Sequence, residues 1–425
     1  MQENSQMIQE KRNNPIYQFL YAICILVPFL NIYELTFFIW FSTAIITISN
    51  RYSISIIKYI ICFSIILATA FIVSLFNNES IYNFFRDIAY LLKPIIGLLI
   101  GYQLYKKCQN KFIQTVVYTG VFLSVAHLCI VITTFIRFNA ISVNLLREYC
   151  GYHSDYEVYV LIMLLFYKKF NINWSKSTIY TLIIIVSLSS FLYLSRTNFI
   201  QFIILFIAMK GYFIVNKRSI TVMTSVVLFL IVGYTAVYQS NPQRSGKGIE
   251  AFLFKIKNAP IEPFKTKINK DDWKDFNDNY RSYENILTVK QVLNDGELTA
   301  FFGKGLGATI NLGRKVWTND GEFIQYIPIL HNGFATVFLK SGIFGLIFLF
   351  IFIYLLGKSK KSNLTSVQNL NFILIGSAFF LIVSNWVFMG LYLKLDNKSI
   401  LLGFIICYRE FLIKNNNQQR EQKLL

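Results

Sequence analysis

The chain has few of the residues from which metal sites and disulfides are built. Six cysteines occur among its 425 residues, they form no CxxC pair, and none lies between residues 240 and 330. The sequence therefore predicts neither disulfides nor a zinc site. No DxD-like metal pair stands out either, because the nearest candidate, Asp271-Asp272, lies in a charged run that is typical of solvated surface. We expect no metal and no other cofactor.

Acidic side chains are also scarce, at 22 Asp and Glu against 41 Lys and Arg, which gives a formal net charge of +19. This excess does not indicate nucleic-acid binding, because most of the cations lie in short loops between apolar segments, where they set membrane topology. No small-residue cleavage site follows the first apolar run. That absence predicts a retained first helix rather than a signal peptide.

Apolar residues make up 55% of the chain, aromatic residues make up 17%, and the mean hydropathy is +0.48. They come in runs rather than alternating with polar residues, which is typical of membrane-spanning helices. We predict an all-α, polytopic integral membrane protein with about 12 transmembrane helices. The expected spans are Ile16–Leu30, Leu35–Ser49, Ser53–Phe76, Phe85–Tyr105, Ile113–Phe138, Tyr156–Phe170, Thr178–Leu194, Thr197–Val215, Ile220–Tyr238, Gly333–Leu356, Phe372–Leu393 and Ile400–Leu412.

The cations of the short loops predict the orientation of these spans. Loops and termini on one side hold nineteen Lys and Arg, whereas the short loops of the other side hold six. By the positive-inside rule both termini are cytoplasmic, and the one long polar loop lies outside. The chain then has an N-terminal bundle of about nine spans (1–239), a large extracytoplasmic loop (240–330) and a C-terminal bundle of about three spans (331–425).

The long loop contains one clear helical pattern. Tyr280 to Asn294 reads as an amphipathic helix, and Gly296 is placed to stop it. Its apolar side is predicted to carry Ile286, Leu287, Val289, Val292 and Leu293. The glycine-rich segment FFGKGLG that follows lacks the preceding strand and the Lys-Ser/Thr ending of a nucleotide-binding loop, so we reject nucleotide binding.

His331 and Asn332 open the apolar run that follows this loop. A helix start at that point offers free backbone N–H groups and a dipole that favours an anion. We therefore regard His331 as a candidate catalytic residue and Asn332 as a candidate substrate contact. The alternative is that the pair merely caps and anchors the helix.

Arginine and lysine near the outer ends of spans are candidate anion ligands. Arg196 lies in a tight turn before a span, where a guanidinium suits a phosphate or diphosphate; the alternative is an arginine that snorkels to the interface. Arg86 and Lys93 are seven residues apart and share a helix face, which predicts a cavity for an anionic lipid headgroup. The alternative is a plain salt bridge between Asp87 and Arg86. Lys340 lies inside a span, and the sequence assigns it no role.

Four further side chains have a functional or a structural interpretation. Arg281 opens the loop helix, where a local bridge to Glu284 is the default for that spacing. His153 lies in a tyrosine-rich outer loop and Trp317 in the long loop, so both are candidate sugar contacts, with ordinary loop packing as the alternative for Trp317. His127 lies mid-span and is predicted to be a packed, hydrogen-bonded helix histidine.

The run HNGFATVFLKSGIFG resembles the signature of the O-antigen ligase and O-antigen polymerase superfamily, a His followed by Asn, Ser or Gln, then nine residues and GxxG. LSRTNFIQFIIL resembles the Ser-Arg turn of that superfamily, and YRSYENILTVKQVLNDGELTAFFGKGLG resembles its loop segment, in which an Arg opens a helix and a GxG turn follows. These likenesses cover residues 194–356. The N-terminal half matches only as a pattern of spans, so Arg86, Lys93 and His153 gain nothing from the resemblance.

The resemblance implies a metal-independent glycosyltransferase in the bacterial inner membrane. It implies a glycan donor on undecaprenyl diphosphate, with Arg196 and Arg281 as the clamp on the leaving diphosphate. His331 would act either as general base toward the acceptor hydroxyl or as a diphosphate ligand. Membrane lipid is an expected partner, a chain-length regulator and a flippase are compatible ones, and nucleic acid is not expected.

Three functions stay open at this point. The sequence around His331 resembles that of polysaccharide polymerases and favours an O-antigen polymerase. Such an enzyme adds a growing surface polysaccharide to a new lipid-linked repeat unit. An O-antigen ligase, which transfers the polymer to lipid A–core in lipopolysaccharide biosynthesis, shares the same motifs. A lipid-linked glycan transporter is the alternative from another class, but it is expected to show inverted repeats and charges near the bilayer midplane.

Overall fold

A computed structural model describes residues 15–77, 79–108, 111–138, 149, 155–214, 216–243, 249–258, 265, 267–269, 272, 275–276, 279–317, 323–393 and 396–424. Of these described residues, 78% are in helices and 4% are in strands. The first eight helices are α1 (Pro15–Leu26), α2 (Tyr33–Ile46), α3 (Ile54–Ser74), α4 (Ile81–Cys108), α5 (Phe112–Phe138), α6 (Tyr156–Leu165), α7 (Lys176–Leu192) and α8 (Arg196–Met209). They are followed by α9 (Lys217–Gln239), α10 (Ile249–Asn258), α11 (Tyr280–Asn294), α12 (Glu297–Phe302), the strands β1 (Ile310–Trp317) and β2 (Phe323–Ile327), α13 (Gly333–Gly357), α14 (Thr365–Val387) and α15 (Lys398–Leu424).

Six of these helices are long and apolar enough to cross a membrane: α3, α4, α5, α9, α13 and α14. They correspond in order to six of the twelve predicted spans. Five further predicted spans fall on shorter apolar stretches, at Pro15–Leu30, Tyr33–Ile46, Tyr156–Leu165, Lys176–Leu192 and Arg196–Met209. The helical membrane-protein class is therefore supported in its coarse form, and the count of about twelve stays a prediction.

The chain divides into two compact units. The first comprises residues 1–68, 88–210 and 347–425, and the second comprises 69–87 and 211–346. This division follows packing, whereas the predicted regions 1–239, 240–330 and 331–425 follow membrane topology. The topological division stays a prediction.

Glycines let helices of the first unit approach closely. A Cβ atom added to Gly376 of α14 would lie 2.8 Å from the Cβ of Ala208 in α8. One added to Gly101 of α4 would lie 2.0 Å from the carbonyl oxygen of Ile400 in α15. Small residues at such crossings are typical of helices packed in a membrane.

Two buried cations of the first unit have polar partners. Lys398 contacts the carboxylates of Asp155 and Asp396, with 2.7 Å between its Nζ and Asp396 Oδ1. Arg409 is fully buried and donates to Asn371 Oδ1 at 3.0 Å. An ion inside an apolar helix bundle is costly unless it is paired, so these contacts keep the charges compatible with burial.

The second unit has its core between α11 and a β-hairpin. Phe276, Tyr283, Leu312, Val316 and Ile327 form one buried apolar cluster. The strands are antiparallel, with a register irregularity between Asn311 and Val316 where Gly313 has a φ of +68°. The hairpin is a departure from the all-α prediction. Residues 318–322, which separate the strands in the sequence, contain Asp320-Gly321, a dipeptide typical of turns, and this was the available signal for a hairpin.

Polar contacts fix α11 to the first strand. The Tyr283 hydroxyl donates to the Leu312 carbonyl at 2.7 Å. The Gln291 amide donates to the Asn311 carbonyl at 2.7 Å and accepts from the Asn311 N–H at 3.0 Å. Helix α11, which carries Glu284 beside His331, is therefore fixed near both of its ends.

The predicted bounds of the loop helix are confirmed, since α11 runs from Tyr280 to Asn294. The predicted apolar side was partly wrong. Val289 and Leu293 are 45% and 54% exposed, whereas Glu284 and Thr288 are buried with Val292. These three buried residues are four apart and share one face, and polar side chains on that face obscured it in the sequence.

Helix α13 is broken at Gly342, whose backbone has φ +63° and ψ −160°. The glycine-rich turn after α12 packs against the break: Lys304 N–H donates to the Leu339 carbonyl at 2.7 Å, and Gly305 N–H donates to the Lys340 carbonyl at 3.1 Å. Such bonds satisfy carbonyls near a helix break. A Cβ added to Gly342 would lie 2.3 Å from the Phe301 carbonyl oxygen, so glycine is required there by both conformation and space.

Candidate functional site

The imidazole of His331 is held by one carboxylate. Its Nδ1 lies 3.0 Å from Glu284 Oε1 and 3.1 Å from Oε2, and its backbone N–H donates to Oε2 at 3.2 Å. The Glu284 side chain is 1% exposed, whereas that of His331 is 54% exposed. A buried carboxylate thus fixes an imidazole that solvent can reach.

The carboxylate sets the tautomer of the ring. Because a carboxylate only accepts, the proton of neutral His331 belongs on Nδ1, which leaves Nε2 as the acceptor. The same division of roles occurs wherever an acid orients a catalytic histidine. The arrangement can therefore take a proton at Nε2 while Glu284 stabilises the imidazolium that results.

Tyr280 completes this cluster. Its ring meets the His331 ring edge-on, with 5.7 Å between centroids. Burial, together with the charge and a hydrogen bond of Glu284, raises the pKa of Tyr280 well above its ordinary value. The tyrosine therefore stays a neutral donor toward the carboxylate, and its ring covers one edge of the imidazole.

Asn332 caps α13. Its Oδ1 accepts from the Ala335 N–H at 3.0 Å, its backbone carbonyl accepts from the Thr336 N–H at 2.9 Å, and the residue is 3% exposed. This is the geometry of an N-cap. The capping interpretation thus applies to Asn332, whereas the side chain of His331 contacts Glu284. A substrate contact by Asn332 stays a prediction.

Lys340 is neutralised within the second unit. Its Nζ lies 2.5 Å from Asp87 Oδ2 and 2.5 Å from the Ala308 carbonyl oxygen, and Gly307 N–H donates to the same Asp87 oxygen at 2.7 Å. Both side chains of the pair are 1% exposed. The structure therefore supplies the partner that the sequence left open for Lys340.

Arg86 and Lys93 have separate surroundings. Arg86 donates to Asn83 Oδ1 at 2.7 Å and lies 5.5 Å from the Tyr82 ring centroid. The expected alternative, a bridge from Asp87 to Arg86, is not what the structure records for Asp87, which pairs with Lys340. Lys93 is buried in the first unit and donates to the Leu393 carbonyl at 2.7 Å. Binding of a lipid headgroup by either cation stays a prediction.

The two predicted clamp arginines lie in different units. Arg196 is exposed and begins α8, directly after a turn in which Leu194 has a φ of +49°. Arg281 is half-buried in the first turn of α11, on the helix that also carries Glu284. The predicted Ser-Arg turn and the predicted helix start are thus both present. Convergence of Arg196 and Arg281 on one diphosphate stays a prediction.

Trp317 and His153 are the remaining candidate sugar contacts, and the structure describes only Trp317. Trp317 is 59% exposed at the end of β1 and packs edge-on against Phe323, with 4.8 Å between ring centroids. An exposed indole is compatible with the predicted sugar contact, which stays a prediction. His153 lies outside the residues that the structure describes.

His127 is a core histidine, as predicted. It is fully buried, its Nδ1 lies 2.9 Å from Ser189 Oγ, and its ring stacks on Tyr193 with 3.7 Å between centroids. Among the described residues, no group of three or more His, Cys, Asp or Glu side chains is placed to hold a metal ion.

Glu284 is the member of the site that sequence reasoning missed. It had been assigned only a local bridge to Arg281, because that spacing is a common one along a helix. Its partner is 47 residues away in the chain. A glutamate on the buried face of an otherwise amphipathic helix was the available signal, since a buried carboxylate requires a partner.

No family model and no curated protein sequence matches the chain.

Proposed function

We propose that the chain is an O-antigen polymerase, an enzyme that lengthens a surface polysaccharide on a polyisoprenoid diphosphate carrier. The single observation that carries the proposal is the Glu284–His331 pair, a buried carboxylate that orients an exposed imidazole directly before the apolar helix α13. A lipid-linked substrate presents its reacting group near such a helix end. An imidazole that a carboxylate holds at Nδ1 while solvent reaches the ring has the arrangement of a general base.

His331 acts as the general base in this reaction. Its Nε2 accepts the proton of a sugar hydroxyl on the lipid-linked repeat unit, and the hydroxyl oxygen attacks the anomeric carbon of the donor glycan. A new glycosidic bond forms while the bond from that carbon to the diphosphate oxygen breaks. The products are the lengthened chain on one lipid and free undecaprenyl diphosphate. Glu284 holds the ring during transfer and balances the charge of the imidazolium.

The leaving diphosphate needs cations rather than a base. Arg196 and Arg281 supply them in this proposal, because a guanidinium offers paired donors that match phosphate oxygens. Trp317, His153 and Asn332 are the proposed sugar contacts, and Arg86 and Lys93 the proposed headgroup contacts. The reaction takes place at the outer leaflet of the inner membrane, where the loop that carries His331 lies if the topology is as predicted.

Deletion of the gene, followed by complementation with single variants, tests the proposal. The surface polysaccharide is separated on a gel, and each variant protein is quantified in the membrane fraction. A polymerase defect leaves one repeat unit on the lipid A–core. A ligase defect leaves the core bare with lipid-linked polymer behind, which would overturn polymerase in favour of ligase.

Replacing His331, Arg196 or Arg281 by Ala distinguishes an enzyme from a transporter. Each of the three variants is expected to lose the polymer while its protein stays in the membrane. A transporter or scaffold tolerates at least two of the three changes. Lys290→Gln, on the exposed side of α11, is the matched control and is expected to support normal polymer.

A further inference from the structure

A large cavity opens at one end of the apolar helices of the first unit. Its volume is about 1420 Å³. The turn between α2 and α3, the last turn of α4 and the polar half of α15 form its walls. Because these are the ends of apolar helices, the cavity lies at the depth where lipid head groups meet water if the helices span a bilayer.

The cavity has an excess of positive charge. Five cationic side chains and two carboxylates line it, which gives a formal net charge of +3. The cations are Arg51, Lys106, Lys107, Lys360 and Lys414, and the carboxylates are Glu410 and Glu421. Basic pockets between the ends of membrane helices are suited to anionic head groups, because each cation adds attraction near the surface.

Two of these cations are oriented by aromatic rings. Lys106 Nζ lies 5.0 Å from the Tyr102 ring centroid and 5.7 Å from that of Tyr52, and it donates to Ser49 Oγ at 3.2 Å. Lys107 Nζ lies 5.7 Å from the Tyr17 ring centroid. Tyrosines at this depth anchor a helix end to the interface, and here they also hold the ammonium groups in place. Lys106 and Lys107 are thus positioned before any ligand binds.

Glu410 adds a second requirement to the ligand. Both of its carboxylate oxygens are buried, and neither has a hydrogen-bond partner among the residues that the structure describes. A buried acceptor without a partner costs free energy, so a ligand that brings hydroxyl donors is favoured. A bare phosphate would offer Glu410 only repulsion.

We propose that this cavity binds an anionic phospholipid with hydroxyl groups in its head, the chemistry of phosphatidylglycerol. The lysine ammonium groups hold the phosphate, and the glycerol hydroxyls donate to Glu410. The acyl chains lie along the apolar helices whose ends form the cavity. This inference does not depend on the transfer reaction, because no residue of the cavity belongs to the His331 site.

The test is a titration of the full-length protein, purified in detergent, with single lipids and detection of bound lipid by native mass spectrometry. The lipids are phosphatidylglycerol, phosphatidic acid and phosphatidylethanolamine with identical acyl chains. The wild-type protein is expected to prefer phosphatidylglycerol over phosphatidylethanolamine, which has no net charge, and over phosphatidic acid, which has no glycerol hydroxyls for Glu410. The triple variant K107Q/K360Q/K414Q is expected to weaken phosphatidylglycerol binding by about fivefold for each cation removed.

The matched control is K168Q/K358Q/K361Q, which removes the same charge from positions that do not line the cavity. Equal loss of binding in the two triple variants would overturn the site. So would equal binding of phosphatidylethanolamine and phosphatidylglycerol by the wild-type protein. Glu410→Gln is expected to abolish the preference for phosphatidylglycerol over phosphatidic acid, and a preference that survives this change would overturn the role of Glu410.

Discussion

Glu284 meets His331 through both the ring and the main chain, with 3.0 Å from Oε1 to Nδ1 and 3.2 Å from Oε2 to the backbone N–H. One buried carboxylate therefore holds the imidazole and also the chain that leads into α13. A side chain that only neutralised a charge would not need the second contact. The pair has the form expected of a positioned base.

Replacing Glu284 by Gln tests this role with little change of volume. Glutamine presents an amide instead of a second acceptor, so the proton on Nδ1 and the ring orientation are no longer set. We expect polymer synthesis to fall by roughly tenfold or more, as a fraction of the 10²–10⁴-fold that a general base contributes. The measurement is the rate of polymer formation by membranes at saturating lipid-linked repeat unit.

The comparison of Glu284→Gln with Glu284→Asp separates positioning from mere stability. Aspartate keeps the charge and restores part of the activity if the carboxylate acts through the ring. A loss carried by the maximal rate, with the apparent substrate affinity unchanged, fits a group that acts only in the transition state. Equal activity of Glu284→Gln and Lys290→Gln would contradict the proposed role.

Helix positions could be predicted from the sequence, whereas contacts between residues far apart in the chain could not. Helix α11 and the start of α13 at Gly333 follow from periodicity and from stop and start signals, and both are confirmed. The Glu284–His331 pair joins residues 47 apart, and the Lys340–Asp87 pair joins residues 253 apart. Such contacts depend on how elements pack, which hydropathy and helical period do not encode.

The hairpin and the helix break were missed for local reasons. Strand β1 contains Gly313 at a register irregularity, which interrupts the alternation by which strands are found in a sequence. Gly342 belongs to a run whose hydropathy is that of one continuous span, so the hydropathy does not reveal the break in the helix. In the sequence, Gly342 stands out only as part of the run HNGFATVFLKSGIFG. The positive φ of Gly342 is the physical reason why glycine occurs there.

Lys340→Met is expected to destabilise the protein by about 3–5 kcal/mol, because it leaves the Asp87 carboxylate buried without its cation. Asp87→Asn is expected to have a cost of the same sign, since Lys340 then keeps only carbonyl acceptors such as that of Ala308. The double variant removes both charges and is expected to recover much of the loss. The measurement is a thermal melting series in detergent, analysed as a double-mutant cycle. Additive effects of the two single changes would show that the pair is not coupled.

Gly342→Ala is expected to lower stability by about 1–3 kcal/mol, since the new Cβ would overlap the Phe301 backbone and the residue has a positive φ. Gly303→Ala acts from the other side of the same contact and is expected to have a similar effect. Gly233→Ala is the matched control, because a Cβ there meets nothing within 4 Å in the middle of α9. Melting temperatures of the three variants check this order. A Gly342→Ala protein as stable as Gly233→Ala would contradict the packing of the glycine turn against the break.

The predicted topology places Lys290 and Lys361 on opposite sides of the membrane, because α13 is the apolar helix that lies between them in the chain. Single cysteines at these two exposed positions are therefore expected to differ in labelling by a membrane-impermeant maleimide added to intact cells. Lys290→Cys is expected to react before lysis, and Lys361→Cys only after it, each measured against the unsubstituted chain. Cys150 belongs to a predicted outer loop, so both variants and the reference chain carry Cys150→Ser. Of the five cysteines in the part of the chain that the structure describes, four are buried and only Cys129 is exposed. Labelling of Lys361→Cys in intact cells would reverse the orientation and place the His331 end of α13 in the cytoplasm, where transfer at the outer leaflet is excluded.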